Sequence, residues 1–402
     1  MSIAIICRYP HDKINLSEWL NNVKEPVFLF TNNNVADTYP DSLFRGKFVY
    51  DKYFSDYSLE YDIANLNKEY PINTLITYEE TDIIRASIIR ENLKIKGQGL
   101  KSAQAFRDKA LMKDYVQKSG YKTPKFKRVD STFDLMTFAD ENGFPLFIKP
   151  IDGMAALNTN KINSYGDLKK WLKENKPNNF IIETYIEGDV FHTDGIISDG
   201  ELLFFTAFEY FNTTFSASDK DGMGDILINK TSQDYDEFLR YTKNILNALP
   251  TPSNCTFHLE FFRNNKGELI LCEAACRTSG ALVPQIVERA CGISLHREST
   301  MIHVEKDYYI NPSINNKTLY GAFYKPLKNG LLEKSVKEIP FEYVVEQYIH
   351  GKEGESYNPS AYFHTYVEYI IEAPDRDTLL KRFNEVDCFI DNNTDWKIEN
   401  NR

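Results

Sequence analysis

Over its first hundred residues the chain alternates short apolar runs with helical ones, and that alternation restricts the fold more than any other feature. "SIAIIC" (2–7), "PVFLFT" (26–31), "KFVYD" (47–51) and "NTLITYEE" (73–80) read as strands, while "LSEWLNNV" and "DIIRASIIRENL" (82–93) have helical periodicity. Strands separated by helices pair in parallel, which gives a doubly wound sheet. No G-x-G-x-x-G follows the first strand, so a dinucleotide fingerprint is absent. Next, "SAQAFRDKALMKDYVQKSG" reads as one long helix, capped by Ser102 and stopped at Gly120. Residues 121 to 190 read as a compact αβ unit, and from His192 the pattern turns antiparallel, with a hairpin across Asp199-Gly200. The expected α/β architecture divides into residues 1–100, 101–190 and 191–402. Residues 318–402 are an appended closing segment of short strands and one helix, "DRDTLLKRFNEV".

Charge and cysteine usage exclude several function classes. The net charge of −11 argues against binding a phosphate backbone, which calls for a basic stripe. Six cysteines form no CxxC pair, and the apolar run at the N-terminus is too short for a signal peptide. No stretch approaches the ~20 apolar residues of a membrane span. A reduced, cytoplasmic chain with no nucleic-acid or membrane partner is expected.

The chemistry concentrates in "HLEFFRNNKGELILCEAACRTSG" (258–280), a strand, a turn at Asn264-Asn265-Lys266-Gly267, and a second strand. With the turn centred between Asn265 and Lys266, Glu260 faces Leu271 and Glu273 faces His258. The two acids are then diagonal neighbours on one face, roughly 7 Å apart at the backbone. Arg277 follows on that side, with Cys272 and Cys276 on the other. Carboxylates on apolar strands need a counter-charge. Mg²⁺ supplies one, because hard cations take one or two carboxylates together with substrate phosphates; a structural ion pair with Arg277 supplies another.

Other candidates carry two readings each. Lys149 ends the apolar strand "PLFIKP" before a small-residue loop, either to meet a phosphate or to snorkel into water. Lys109 in "FRDKALMK" is a phosphate ligand or an exposed helix lysine. In "IIETYIEG" a carboxylate, Glu183, lies at the end of a strand that leaves its sheet, a suitable arrangement for adenine. Glu80 ends the fourth strand, where it meets an ammonium group or stays a solvated loop acid. His258 is a base or, more simply, a hydrogen-bonded structural histidine.

Taken in order, Lys109, Lys149, E-x-Y-I-x-G and acid, turn, acid-x-x-x-Arg resemble the ATP-grasp superfamily over roughly residues 75 to 300. Within it the chain looks most like carboxylate–amine ligases of the L-amino-acid ligase (dipeptide synthetase) type. The stretches that suggest this are "ITYEETDIIRASIIREN…FRDKALMK", "YIEGDVFHTDGII", the His-x-Glu of "FHLEFF" and "RTSGALVPQIVERACGISL". The resemblance implies an ATP-grasp fold: an N-terminal doubly wound parallel-sheet domain, a small α+β ATP-binding subdomain and a larger antiparallel-sheet catalytic domain. It implies ATP and Mg²⁺, with Mn²⁺ as a substitute. Lys109 and Lys149 would contact the nucleotide phosphates, and Glu183 with the backbone of Tyr185 and Ile186 would hold adenine. Asp189 would replace the usual ribose acid. Glu260 and Glu273 would bind the metal, and Arg277 would stabilise the charged transition state. Glu80, His258, Ser279, Gly280 and Ala281 would face the amino-acid substrates. A homodimer is the family expectation. The alternatives are ligation to a carrier protein or natural-product scaffold, and a non-catalytic nucleotide-binding regulator. Ala275 stands where an asparagine often adds a metal ligand, and the loop 153–158 lacks the usual serines and glycines.

Overall fold

The computed structural model describes residues 1–211, 222–305, 308–313, 317–359 and 364–398. Near the N-terminus, four parallel strands pair in the order Gly46–Tyr50, Val27–Asn32, Ser2–Ile6, Ile72–Thr77. The two inner strands, Ser2–Ile6 and Val27–Asn32, are apolar and buried along nearly all their length, covered on both faces as parallel strands are. Ala4, Ile6, Phe28 and Phe30 pack on one side, and Ile3, Ile5, Val27 and Leu29 on the other. The reversal of winding falls between Ser2–Ile6 and Ile72–Thr77, and ligands of such sheets bind at the carboxyl ends beside this point. Arg8 and Glu80 lie at those ends.

The expected long helix is two helices, Leu100–Arg107 and Lys109–Lys118. Asp108 breaks the run with extended backbone, and its carboxylate accepts from the amides of Ala110 and Leu111. A cap of that kind competes with helix continuation. Ser102 is not the cap; Gly99 holds that position and Ser102 is buried one turn inside.

A four-stranded antiparallel sheet follows, ordered Phe126–Val129, Phe180–Thr184, Leu146–Pro150, Asn160–Ile162. The helices Thr132–Asn142 and Tyr165–Glu174 cover one face through Leu135, Phe138, Leu168 and Trp171. The chain leaves it at Gly188, where φ is +150° and an added Cβ would lie 2.1 Å from the Arg263 carbonyl oxygen. Only glycine fits that crossing.

Ser356–Tyr357, Gly330–Lys334 and Asp395–Ile398 form a small three-stranded sheet, and the other eight strands form one antiparallel sheet. The larger sheet runs Leu269–Ala275, Cys255–Asn264, Gly188–Ser198, Glu201–Phe211, Met223–Leu227, Leu319–Pro326, Thr365–Ala373, Val344–Ile349. Three of these strands come from residues 318–402, so that segment extends the sheet. Helix Gln233–Ala248 packs one face through Phe238, Tyr241 and Ile245. Helices Val283–Cys291 and Leu295–Val304 pack the other through Ile286, Val287 and Leu295.

Candidate active site

Glu260 and Glu273 lie directly opposite each other, not diagonally. Two irregularities produce this register. The turn leaves three residues between the paired Asn264 and Glu268, which alone would throw the acids onto opposite faces. A β-bulge then removes Cys272 from pairing, so Phe261 meets Leu271 while Glu260 meets Glu273. Odd loop and one-residue bulge cancel, and the shared face is restored. His258 pairs with Ala275, not Glu273. The bulge also brings Cys272 to the glutamates' side. It lines the same cavity, of about 90 Å³, with Lys109, Lys149 and the loop after Lys149. Cys276 is buried in the core as expected.

The helix break at Asp108 places Lys109 at the first position of the second helix, where it turns inward. Its ammonium is 3.1 Å from Glu273 Oε2 and also donates to the Gly153 carbonyl. At 4% exposure it is no surface lysine. Lys149 is likewise drawn in: its Nζ is 3.0 Å from Glu183 Oε2. Glu183 takes a second lysine, Lys113, at 3.3 Å. Sequence reasoning missed Lys113, although its i+4 spacing from Lys109 puts both on one helix face. Burial opposes ionisation of Glu183, yet the two lysines hold its carboxyl below the usual range. Burial also works against the charge of Lys149, and Glu183 outweighs it, keeping the ammonium above its ordinary value. For Lys113 the balance goes the other way: burial wins and its value falls.

The loop after Lys149 closes the cavity. Ala155, Ala156 and Asn158 adopt φ of 51°, 54° and 56°. Left-handed backbone at non-glycine residues is costly, and turns of this kind aim amide groups into an anion-binding concavity. Tyr185 and Ile186 follow Glu183, both half-buried. The Tyr185 amide is engaged by the Pro145 carbonyl at 3.3 Å. Asp189 is exposed and pairs in register with Arg263.

Glu80 is buried, not a solvated acid. It accepts from Arg107 and from Arg277, whose Nε lies 3.1 Å away. Burial opposes its charge, and Arg277, Arg107 and Lys109 together bring its carboxyl below the ordinary range. Arg277 follows the end of its strand and spans from the eight-stranded sheet to the N-terminal one. Its ion pair is with Glu80, not with the hairpin acids. Ser279 is buried, Gly280 and Ala281 are exposed, and Ala281 adopts φ of 52°.

His258 is bonded on both nitrogens, to Asp194 at 2.9 Å and to Glu260 at 3.2 Å. Beyond it, Asp194 meets His192 at 2.7 Å, His192 meets Asp225 at 3.1 Å, and Tyr324 donates to Asp225 at 2.7 Å. A carboxylate only accepts, so an imidazole between two ionised ones must carry both protons. Although burial opposes it, Asp194 and Asp225 push His192 up to about 10. Burial also opposes ionisation of Glu260, which His258 and Tyr210 hold down at about 2. His192, Asp194 and His258 cluster as metal ligands do. Their 2.7–2.9 Å contacts are hydrogen-bond lengths, shorter than ~3.4 Å, the spacing that tetrahedral metal bonds of about 2.1 Å impose. They are a bonded chain ending on Glu260. Sequence reasoning left His192 and Asp194 without a role.

Paired carboxylates, two lysines and a strained loop enclose one cavity between a small antiparallel sheet and a large one. The chain has the ATP-grasp fold. A solved L-amino acid ligase from Bacillus licheniformis matches it with a TM-score of 0.77, at 16% identity over 99% of each chain. An N5-carboxyaminoimidazole ribonucleotide synthetase solved with ADP matches at 0.70, with 13% identity over 96% of each chain. In sequence, the chain is similar to an L-arginine-specific L-amino acid ligase of Bacillus subtilis, 29% identical over 272 residues. That stretch covers 66% of this chain and 65% of the relative. An alanine–anticapsin ligase of Bacillus subtilis is 26% identical over 35% of each chain. No protein-family model matches. No helix among the described residues is long and apolar enough to cross a membrane.

Proposed function

We propose that this protein is an ATP-dependent carboxylate–amine ligase that joins two L-amino acids. The observation that carries the proposal is the pairing of Glu260 with Glu273 on one cavity that also receives Lys109 and Lys149. Similarity to the two Bacillus subtilis ligases supports the substrate class.

The donor set suits Mg²⁺: hard carboxylate oxygens, side chains 27% and 20% exposed at the cavity, with no sulfur required. Glu260 and Glu273 would hold the ion, which when bound neutralises charge on the nucleotide phosphates. Lys109 would exchange its bond to Glu273 for a phosphate oxygen, and Lys149, held by Glu183, would present a second fixed charge. Tyr185 and Ile186 would contact adenine, through Ile186 rather than the engaged Tyr185 amide, with Asp189 at the ribose. A carboxylate oxygen of the first amino acid attacks the γ-phosphorus and ADP leaves, giving an acyl phosphate. The amine of the second amino acid, having lost a proton, attacks the carbonyl carbon, and phosphate departs with that carboxylate oxygen. Such transfer depends on positioning and charge more than on covalent catalysis. Arg277, fixed by Glu80, would face the developing charge. Glu80, His258, Ser279, Gly280 and Ala281 would border the amino acids. The units 1–100, 101–190 and 191–402 would serve as the N-terminal, lid-like and catalytic domains of a cytoplasmic homodimer.

Screening single amino acids and pairs for phosphate release, with products read by mass spectrometry, tests the proposal. Release that requires a pair and yields its condensation product supports it. Tight ATP binding with no release from any pair defeats it in favour of a carrier-bound acid or a silent binder.

A further inference from the structure

Arg90 is 5% exposed, and none of the described acids lies within ion-pair distance of it. Its guanidinium donates to the carbonyls of Leu75 at 2.7 Å and Gln98 at 3.4 Å, and its Nε has no partner. A charge buried on those terms is costly unless something neutralises it. It lines a cavity of about 40 Å³ between helices Ile83–Leu93 and Leu295–Val304 and the strand Cys255–Asn264. Arg277, Thr77, Asn254 and His303 share the wall, and among the described residues no carboxylate does. The Thr77 hydroxyl is buried and unpartnered. Burial and the charge of Arg90 push His303 down to about 4, so it is neutral near pH 7. The volume holds about three water-sized bodies at 10–15 Å³ each. That is room for a bare halide but tight for a phosphate.

We infer that a small monovalent anion of halide size binds in this cavity against Arg90, with the Thr77 hydroxyl as a second donor. It would tie the N-terminal sheet, through the helix carrying Arg90, to the eight-stranded sheet behind Arg277. The inference does not rest on the proposed ligase activity, although Arg277 borders both sites.

Crystals soaked in sodium bromide and measured at the bromine edge give the direct test, with thermal unfolding in sodium bromide or gluconate at equal ionic strength beside it. The expected result is an anomalous peak within hydrogen-bond reach of Arg90, and a melting temperature ~1–3 °C higher in bromide. In Arg90→Gln both should vanish. Should that variant fail to fold, the wild-type comparison decides alone. A cavity holding ordered water only, with coincident melting curves in the two salts, would overturn the inference.

Discussion

Replacing Glu183 with glutamine keeps the shape of the side chain and removes a charge that two lysines share. The structure sets the size of the effect. Lys113 has 0% side-chain exposure, Lys149 12% and Glu183 5%, so water cannot take over the role of the carboxylate. Stranding a buried charge by removing its partner costs about 3–5 kcal/mol. Urea unfolding followed by circular dichroism should therefore show a lower midpoint at unchanged slope. Adding Lys113→Met removes one stranded ammonium, and the double variant should recover about 1–3 kcal/mol relative to the sum of the singles. The pH dependence has a definite sign. The folded carboxyl of Glu183 lies below its ordinary value. Its stabilisation is thus present above the unfolded value of about 4.3 and lost as pH falls through the lower folded one. Glu183→Gln should lack that part of the acid limb. A single-variant cost under about 1 kcal/mol, or additive effects in the double variant, would refute the shared-charge account.

Other consequences can be checked separately. His192, raised to about 10, should confer stability that is complete below about pH 6.5 and lost on approaching pH 10, by up to ~1.4 kcal/mol per unit; His192→Gln should flatten that alkaline slope in denaturant titrations. Cys272 lines the cavity and burial pushes its thiol up to about 11, whereas Cys388 is exposed. Iodoacetamide at pH 7.5 should therefore label Cys388 first, and Mg·ATP should slow Cys272 further, as peptide mapping would report. Ala281→Trp should fill space at the start of the helix Val283–Cys291 and lower kcat/KM for bulky first amino acids by roughly tenfold or more, about 1.4 kcal/mol. Unchanged use of large substrates would remove Ala281 from the pocket.

Much of the fold was legible because periodicity reports burial locally. The four N-terminal strands and the helices Ile83–Leu93 and Arg376–Asn392 sit where apolar spacing places them. The helix Ser58–Glu69 went unread, since Leu59 and Ile63 are its only fully buried residues and Tyr61 is an apolar ring left exposed. The break at Asp108 was hidden for another reason. The sequence around it favours helix throughout, and what decides is a cap whose gain becomes evident only with Lys109 facing Glu273. Glu260 and Glu273 were found together, but by a register that held only because a bulge at Cys272 offset an odd loop. Lys113, His192 and Asp194 act through partners 70, 33 and 64 residues away, distances at which spacing says nothing.

The central claim is that these residues activate a carboxylate by phosphorylation before an amine attacks. An L-amino acid labelled with ¹⁸O in its carboxylate, incubated with ATP, Mg²⁺ and the amine partner that supports turnover, tests it most directly. An acyl phosphate route sends one ¹⁸O into each released inorganic phosphate, in step with peptide formed, and Glu273→Gln should abolish both. Phosphate released without label, whether or not a peptide forms, would contradict the mechanism.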